Sequence, residues 1–306
     1  MKSLKVACIG EVMMELVATT IPGTARIGVA GDVLNTAIYL RRTLPAKHSV
    51  SLVSLLGSDH FSDEISRFVQ AEGIGINDLG RIEGRLPGVY TIATDPSGER
   101  SFQYWRHQSV ARLLFQQNER HPFQSLEKYD VVYASAITLA ILDEKIRHAF
   151  LNWLPTYRSM GGKFVFDSNY RRSLWPSKSV ALTAVEAAWR QCDIALPSLD
   201  DELTLFDEIS EHQVVKRFQT YGIENGALKR GHRGPLCLKG PQPDKQFQAV
   251  DKVVDTTAAG DGFNGGFLGR FLQTGDTSVA MKYGHSLASQ IVMHSGAIIP
   301  KESQPA

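Results

Sequence analysis

Asp255-Thr256-Thr257-Ala258-Ala259-Gly260-Asp261-Gly262-Phe263-Asn264-Gly265-Gly266-Phe267-Leu268 is the stretch that decides the reading of this chain. A run of small residues leads into a helix predicted over 261–273. Side chains as small as those of Ala258, Ala259 and Gly260 leave backbone N–H groups open to a bound anion. The helix N-terminus adds a partial positive charge there. An aspartate in that position, Asp261, stands where it can take a proton from a hydroxyl attacking a phosphate. It equally reads as a plain N-cap, and the glycines as a plain loop. Gly262, Gly265, Gly266 and Gly269 thin the helix so that another element can pack close against it.

Upstream, strands alternate with helices. Lys5–Ile9 is a short buried strand ended by Gly10, and Gly31-Asp32 opens an amphipathic stretch. Ser49–Leu56 reads as a strand, Asp59 as the cap of the next helix, and Gly73 as its stop. Val89–Thr94, the turn Asp95-Pro96-Ser97-Gly98 and Ser101–Trp105 read as a β-hairpin that interrupts the alternation. Strands are predicted again at Val131–Ala134, Lys163–Asp167 and Ile194–Leu196, with a helix from about Asp143 to Met160. Leu228, Pro235–Lys239 and Phe247–Val250 read as further short strands, followed by helices over 261–273 and 277–295. Such alternation predicts an α/β fold with a mostly parallel sheet covered by helices.

Hydrophobic residues make up 43% of the 306 and charged residues 21%, a balance that supports a sizeable core. The net charge is +1 and Lys and Arg form no run, which argues against nucleic acid as a partner. No apolar stretch reaches the length of a membrane span. The run Val6–Ile9 is too short for a signal-peptide core. Three dispersed cysteines offer neither a disulfide framework nor a thiolate zinc site. The expectation is a cytoplasmic protein. No Gly-x-x-x-x-Gly-Lys-Ser/Thr phosphate loop occurs.

The quoted stretch resembles the second signature of the ribokinase-like (PfkB-type) carbohydrate kinases, and the resemblance runs from Ile9-Gly10-Glu11 to Gly296–Pro300. Within that family the pattern is most similar to the kinases of 2-keto-3-deoxygluconate. The matching stretches are Gly31–Thr36, Arg85–Tyr90, Gly98-Glu99-Arg100 with Tyr104-Trp105-Arg106, Phe166–Arg171 and Leu228–Gly231. The resemblance implies a three-layer ribokinase-like fold in one domain, with a β-sheet lid built from about 12–33 and 85–108. It implies Asp261 as base and an anion hole of N–H groups from Ala258 to Gly260. Gly31, Asp32 and Asn35 would grip sugar hydroxyls, although Asp32 also reads as a helix cap. Tyr90 and Tyr104 would cover the sugar. A sugar acid needs a cation for its carboxylate, and Arg106 and Arg171 are the candidates.

For ATP the resemblance implies Asn169, Arg171, Ser198, Lys229, Gly231, Gly234, the loop Ala258–Gly260 and His285. Mg²⁺ is the expected divalent ion, through Asp201 or Glu202. A monovalent cation such as K⁺ would sit near Asp255 and Thr257. Two residues depart from the family pattern: Ala30 stands for the first glycine of a pair, and Gly262 for a Ser or Thr. A homodimer or higher oligomer is implied by the lid. Rival readings are a kinase of 2-keto-3-deoxygalactonate, fructose or ribose, and a sugar-acid-binding regulator without catalysis.

Overall fold

The computed structural model describes residues 2–94, 100–118, 120–240 and 247–305. The hairpin turn at 95–98 and the Gly98-Glu99 part of one matching stretch lie outside the described residues. The chain runs β1 (Lys5–Ile9), β2 (Met13–Ala18), β3 (Ala25–Ala30), α1 (Asp32–Thr43), β4 (Ser49–Leu56), α2 (His60–Ala71), β5 (Leu79–Arg81), β6 (Gly88–Thr94) and β7 (Arg100–Trp105). It continues with β8 (Val131–Ser135), α3 (Ala136–Ile141), α4 (Glu144–Ser159), β9 (Lys163–Asp167), α5 (Lys178–Arg190), β10 (Ile194–Ala195), α6 (Leu199–Phe206) and α7 (Glu211–Thr220). Last come β11 (Asn225–Leu228), β12 (Leu236–Cys237), α8 (Ala259–Thr274) and α9 (Thr277–Val292).

The main sheet has strand order β12-β11-β10-β9-β8-β1-β4-β5, parallel except for β12 on β11. Its strands read as near-continuous apolar runs because both faces are covered. The pleat sends alternate residues to opposite faces. Ala7 and Ile9 of β1, Val132 and Ala134 of β8, and Phe164 and Phe166 of β9 enter one core with Phe150 and Trp189. Val6 and Cys8, Val131 and Tyr133, and Val165 enter the other, with Leu34 and Phe267. Full burial of a side chain the size of Phe267 stabilises the fold by about 1.5–3 kcal/mol.

A four-stranded sheet of order β3-β2-β6-β7 stands apart from the main sheet and is built from the two segments expected to form the lid. Tyr90 pairs with Tyr104 and with Glu15, so all three share one face; Ile27 and Trp105 stand on the other. That second face leaves Ile27 and Trp105 each 60% exposed.

Two expectations are corrected. Phe247–Val250 forms no strand; its side chain Phe247 instead packs over Gly234 and His285. The helix around Asp261 starts two residues earlier, at Ala259, because Ala258 adopts a left-handed φ of 61° and turns the chain sharply into it. The glycine strip does thin this helix. A Cβ on Gly265 would lie 2.7 Å from the Thr36 carbonyl oxygen, and one on Gly269 2.6 Å from Thr43, so α1 seats directly on α8.

Candidate active site

A cavity of about 790 Å³ opens where the parallel strands end, between the main sheet and the small one. Strand ends are the usual binding edge of an open α/β sheet, because loops and helix N-termini converge there. Ser135 ends β8, Asp167 ends β9 and Lys229 follows β11, so three polar side chains reach this edge from adjacent parts of one sheet.

Asp261 lies in the first turn of α8, half-buried, at the cavity wall. Asn35 Nδ2 donates to its Oδ2 at 2.9 Å, and Thr36 Oγ1 donates to its carbonyl at 3.3 Å. Burial, then the Asp32 charge and that of Asp167, push the carboxyl up to about 8; Asn35 and Lys229 oppose the rise. The Ala259 amide donates to the Thr256 carbonyl at 3.3 Å, so it is not aimed outward as expected. The amides of Gly260 and Asp261 have no acceptor among the described residues, and they form the open end of the helix.

Behind Asp261 lies a buried polar network. Lys229 Nζ donates to Asp167 Oδ1 at 2.7 Å and to Asn264 Oδ1 at 2.9 Å. Asn264 Nδ2 donates to Asp167 Oδ2 at 2.9 Å and to the Tyr133 hydroxyl at 3.1 Å, and that hydroxyl lies 3.3 Å from Thr36 Oγ1. The ammonium of Lys229 thereby sits 3.8 Å from where a Cβ on Gly260 would stand, beside the open helix end. Asn264 was available to sequence reasoning, since it lies one turn from Asp261 within the same motif. Asp167 was legible as the end of a predicted strand and within the matching stretch Phe166–Arg171, whereas Ser135 lay one residue beyond the strand predicted at Val131–Ala134.

Asp32 Oδ2 accepts from Ser135 Oγ at 2.6 Å and from Asn169 Nδ2 at 3.0 Å, and burial raises its carboxyl above the ordinary range. Gly31 at the same wall cannot carry a side chain, because a Cβ there would meet the Glu11 carbonyl oxygen at 2.5 Å. Tyr90 and Tyr104 stack at 5.5 Å on the lid face above the cavity, the Tyr90 hydroxyl donating to Glu15. Arg171, about half-exposed, stands 3.8 Å from Asp201. Ser168 Oγ accepts from the Ser198 amide at 2.7 Å and lies 3.4 Å from Asp201 Oδ2, which fixes both residues at the cavity rim.

Several candidates stand elsewhere or are otherwise engaged. Arg106 lines the cavity but is buried and ion-paired with Glu11, rather than free at a strand end. Glu202 is fully buried and turned to Arg217 at 2.7 Å, outside the cavity lining, so of the two acids only Asp201 faces the cavity. A helix turns successive side chains by about 100°, and neighbours such as Asp201 and Glu202 therefore diverge. Asp255 also lies outside the lining; it accepts from the Thr257 amide at 3.0 Å and the Gly296 amide at 2.7 Å, while Thr257 itself lines the cavity. Gly231, Gly234 and His285 are outside too, and His285 Nε2 is 2.9 Å from the Gln248 carbonyl. Gly262 has a packing reason of its own. A Cβ there would stand 2.0 Å from Ile291 Cδ1.

An aspartate at an open helix end, a cation beside it and a two-layered cavity closed by a β-sheet are the parts of a phosphotransferase site. Comparison with known proteins agrees. The pfkB family carbohydrate kinase profile matches residues 3–304, and the chain belongs to that family. The 2-dehydro-3-deoxygluconokinase of Dickeya dadantii is 38% identical over 314 aligned residues, which cover 100% of both chains. That of Escherichia coli K12 is 37% identical over 99% of this chain and 100% of its own. Among solved structures, a 2-dehydro-3-deoxygluconokinase of Thermotoga maritima superposes with a TM-score of 0.80 at 17% identity, covering 97% of this chain and 95% of its own. The aminoimidazole riboside kinase of Salmonella enterica gives a TM-score of 0.81 at 21% identity, over 98% and 96%. At those identities the structures speak for the ribokinase-like fold alone.

Proposed function

We propose that this enzyme transfers the γ-phosphoryl group of ATP to the 6-hydroxyl of 2-keto-3-deoxygluconate (2-dehydro-3-deoxygluconate). Arg106, buried on the wall of the Asp261 cavity and held by Glu11 at one end of its guanidinium only, carries the reading, since the carboxylate of a sugar acid gives the other end a partner. The full-length relatives that bear this activity in their names support it. Kinases of 2-keto-3-deoxygalactonate, fructose or ribose remain the alternatives to be assayed beside it.

In this reading the sugar acid lies under the Tyr90–Tyr104 stack, with its carboxylate toward Arg106 and its far hydroxyl toward Asp261. Asp261 accepts the hydroxyl proton. Its raised affinity for a proton makes the ionised carboxylate a stronger base, and the fraction able to accept a proton grows as pH rises toward about 8. Asn35 holds the acceptor oxygen in place, and Lys229 with the Gly260 and Asp261 amides faces the charge that builds on the phosphate. Asn169, Ser198 and Arg171 stand on the nucleotide side. The four-stranded sheet over 12–33 and 85–108 closes the single kinase domain against water.

The donor set suits Mg²⁺. Asp201, with Asp200 beside it, offers hard oxygens at the rim, and among the described residues no three or more His, Cys, Asp or Glu form a metal cage. Mg²⁺ is commonly held by one or two carboxylates plus substrate phosphates and water. Asp201 would hold it, and the ion would supply charge neutralisation to the phosphates. A monovalent cation is assigned to the loop around Asp255 and Thr257. The apolar outer lid face with Ile27 and Trp105 fits a second copy of the chain in a homodimer. No helix among the described residues is long and apolar enough to cross a membrane, and a cytoplasmic site of action is proposed.

The test is ADP release with ATP, Mg²⁺ and each sugar in turn. Turnover confined to the keto-deoxy acids supports the reading. Turnover of fructose or ribose at equal efficiency removes the arginine argument. Binding of the sugar acid without any turnover moves the weight to a regulator.

A further inference from the structure

We infer that Glu11 positions Arg106 for the acid group of the substrate, from the point where all four lid strands join the core. The inference rests on the sugar-acid reading above.

Glu11 lies between β1 and β2 and is 1% exposed. Its Oε2 accepts from Arg106 Nη2, just past the end of β7. Its Oε1 has no close hydrogen-bond partner among the described residues, the Ser109 hydroxyl standing near the carboxyl, and a Cβ on Gly88 at the start of β6 would come 2.7 Å from it. Its carbonyl oxygen closes on Gly31, just past β3, as described above. The roots of β2, β3, β6 and β7 therefore all touch this one residue. Two of them do so at glycines, where any side chain would displace it. Burial raises the Glu11 carboxyl, and the Arg106 charge opposes the rise.

A buried ion pair can be a mere staple. What distinguishes this one is how the guanidinium is shared. Glu11 holds Nη2, while Nη1 donates to nothing among the described residues and Arg106 lines the cavity. Arginine is a planar fork whose two ends can serve two carboxylates at once. With one end fixed by Glu11, the other is pre-aimed, so the sugar acid does not bear the entropy of ordering a long side chain. The ring of Tyr104 lies 5.9 Å from the Arg106 guanidinium carbon and borders it on the lid side.

The experiment measures KM for 2-keto-3-deoxygluconate and for ATP in the full chain, as wild type, Glu11→Gln, Arg106→Ala and the double variant. Arg106→Ala is expected to raise the sugar KM by about 100-fold, and Glu11→Gln by about tenfold with the KM for ATP within about twofold. The double variant should match Arg106→Ala alone, because Glu11 has nothing left to position. A double variant worse than Arg106→Ala by a further tenfold, or a parallel rise in the KM for ATP, overturns the inference. If Arg106→Ala leaves the sugar KM unchanged, the sugar-acid reading itself fails. If Arg106→Ala acts and Glu11→Gln does not, only the positioning role fails. Should Glu11→Gln not fold by thermal melt, Glu11→Asp keeps the charge and draws it back by one methylene. A raised sugar KM in that variant supports the role, and an unchanged one sinks it.

Discussion

Replacing Asp261 by Asn should make the enzyme more stable while it destroys turnover. The carboxyl is pushed from an ordinary 3.8 to about 8 by burial, with Asp32 and Asp167 adding to the rise. The folded protein therefore holds this proton more tightly than the unfolded chain does. Linkage then runs in one direction: stability contributed by the protonated form is lost as pH rises from 3.8 through about 8, and is constant outside that window. The full shift of about four units is worth at most roughly 6 kcal/mol at 1.36 kcal/mol per unit. Asp261 keeps some contact with solvent in the cavity, and an effective dielectric near 20 brings the expectation down to about 2 kcal/mol. Asn has no proton to lose. At pH 8 Asp261→Asn should raise Tm by roughly 4 °C, and at pH 4 the gain should vanish. Thermal melts of both proteins from pH 4 to 9, without ligands, read this directly. The same variant should lose about 10²- to 10⁴-fold in kcat, the usual worth of a general base. Equal melting temperatures at every pH would refute the electrostatic argument, and turnover within tenfold of wild type would refute the role of base.

Other consequences follow from the same geometry. Gly265→Ala sets a Cβ against the Thr36 carbonyl and the backbone of Leu40, neither of which can yield easily, and should cost about 2–3 kcal/mol, seen as a lower urea midpoint. Gly262→Ser meets only the tip of the Ile291 side chain and should cost about 1 kcal/mol, most of it recovered in Gly262→Ser/Ile291→Val by the same urea titration. Asp201→Asn should raise the Mg²⁺ concentration for half-maximal activity by about tenfold, whereas Glu202→Gln, on the Arg217 side, should leave that concentration unchanged. Lys229→Met leaves Asp167 buried without its cation and should lower stability by about 3 kcal/mol in a denaturant melt. It should also raise the KM for ATP.

The Glu11–Arg106 pair and the Asp167–Lys229 network illustrate one constraint. Each puts a carboxylate where burial disfavours charge, and each answers it with a cation that also faces the cavity. Removing either acid therefore disturbs both folding and substrate affinity.

The sequence by itself determined most strands of the main sheet and the helices with clear start or stop signals. Apolar β-branched runs, Asp59 as a cap, and Gly73 past its helix are local signals, and β4 and β9 appear at the bounds their residues predict. It also determined the motif at Asp261, because small residues before a helix start are a local pattern, although which amides stay open, Gly260 and Asp261 and not Ala259, was left to the folded loop. The tertiary structure alone decided what each side chain faces. Asp201 and Glu202 are adjacent in sequence, yet one faces the cavity and the other Arg217. Arg106 reads as a free cation until β1 brings Glu11 beside it from 95 residues away. Asn35 and Asp261 meet across 226 residues, and the proton affinity of Asp261 is set by its burial and by Asp32, Asp167 and Lys229, which three separate segments deliver. Local propensity is carried by neighbours in the chain, whereas charge and burial depend on neighbours in space, and only the folded sheet supplies those.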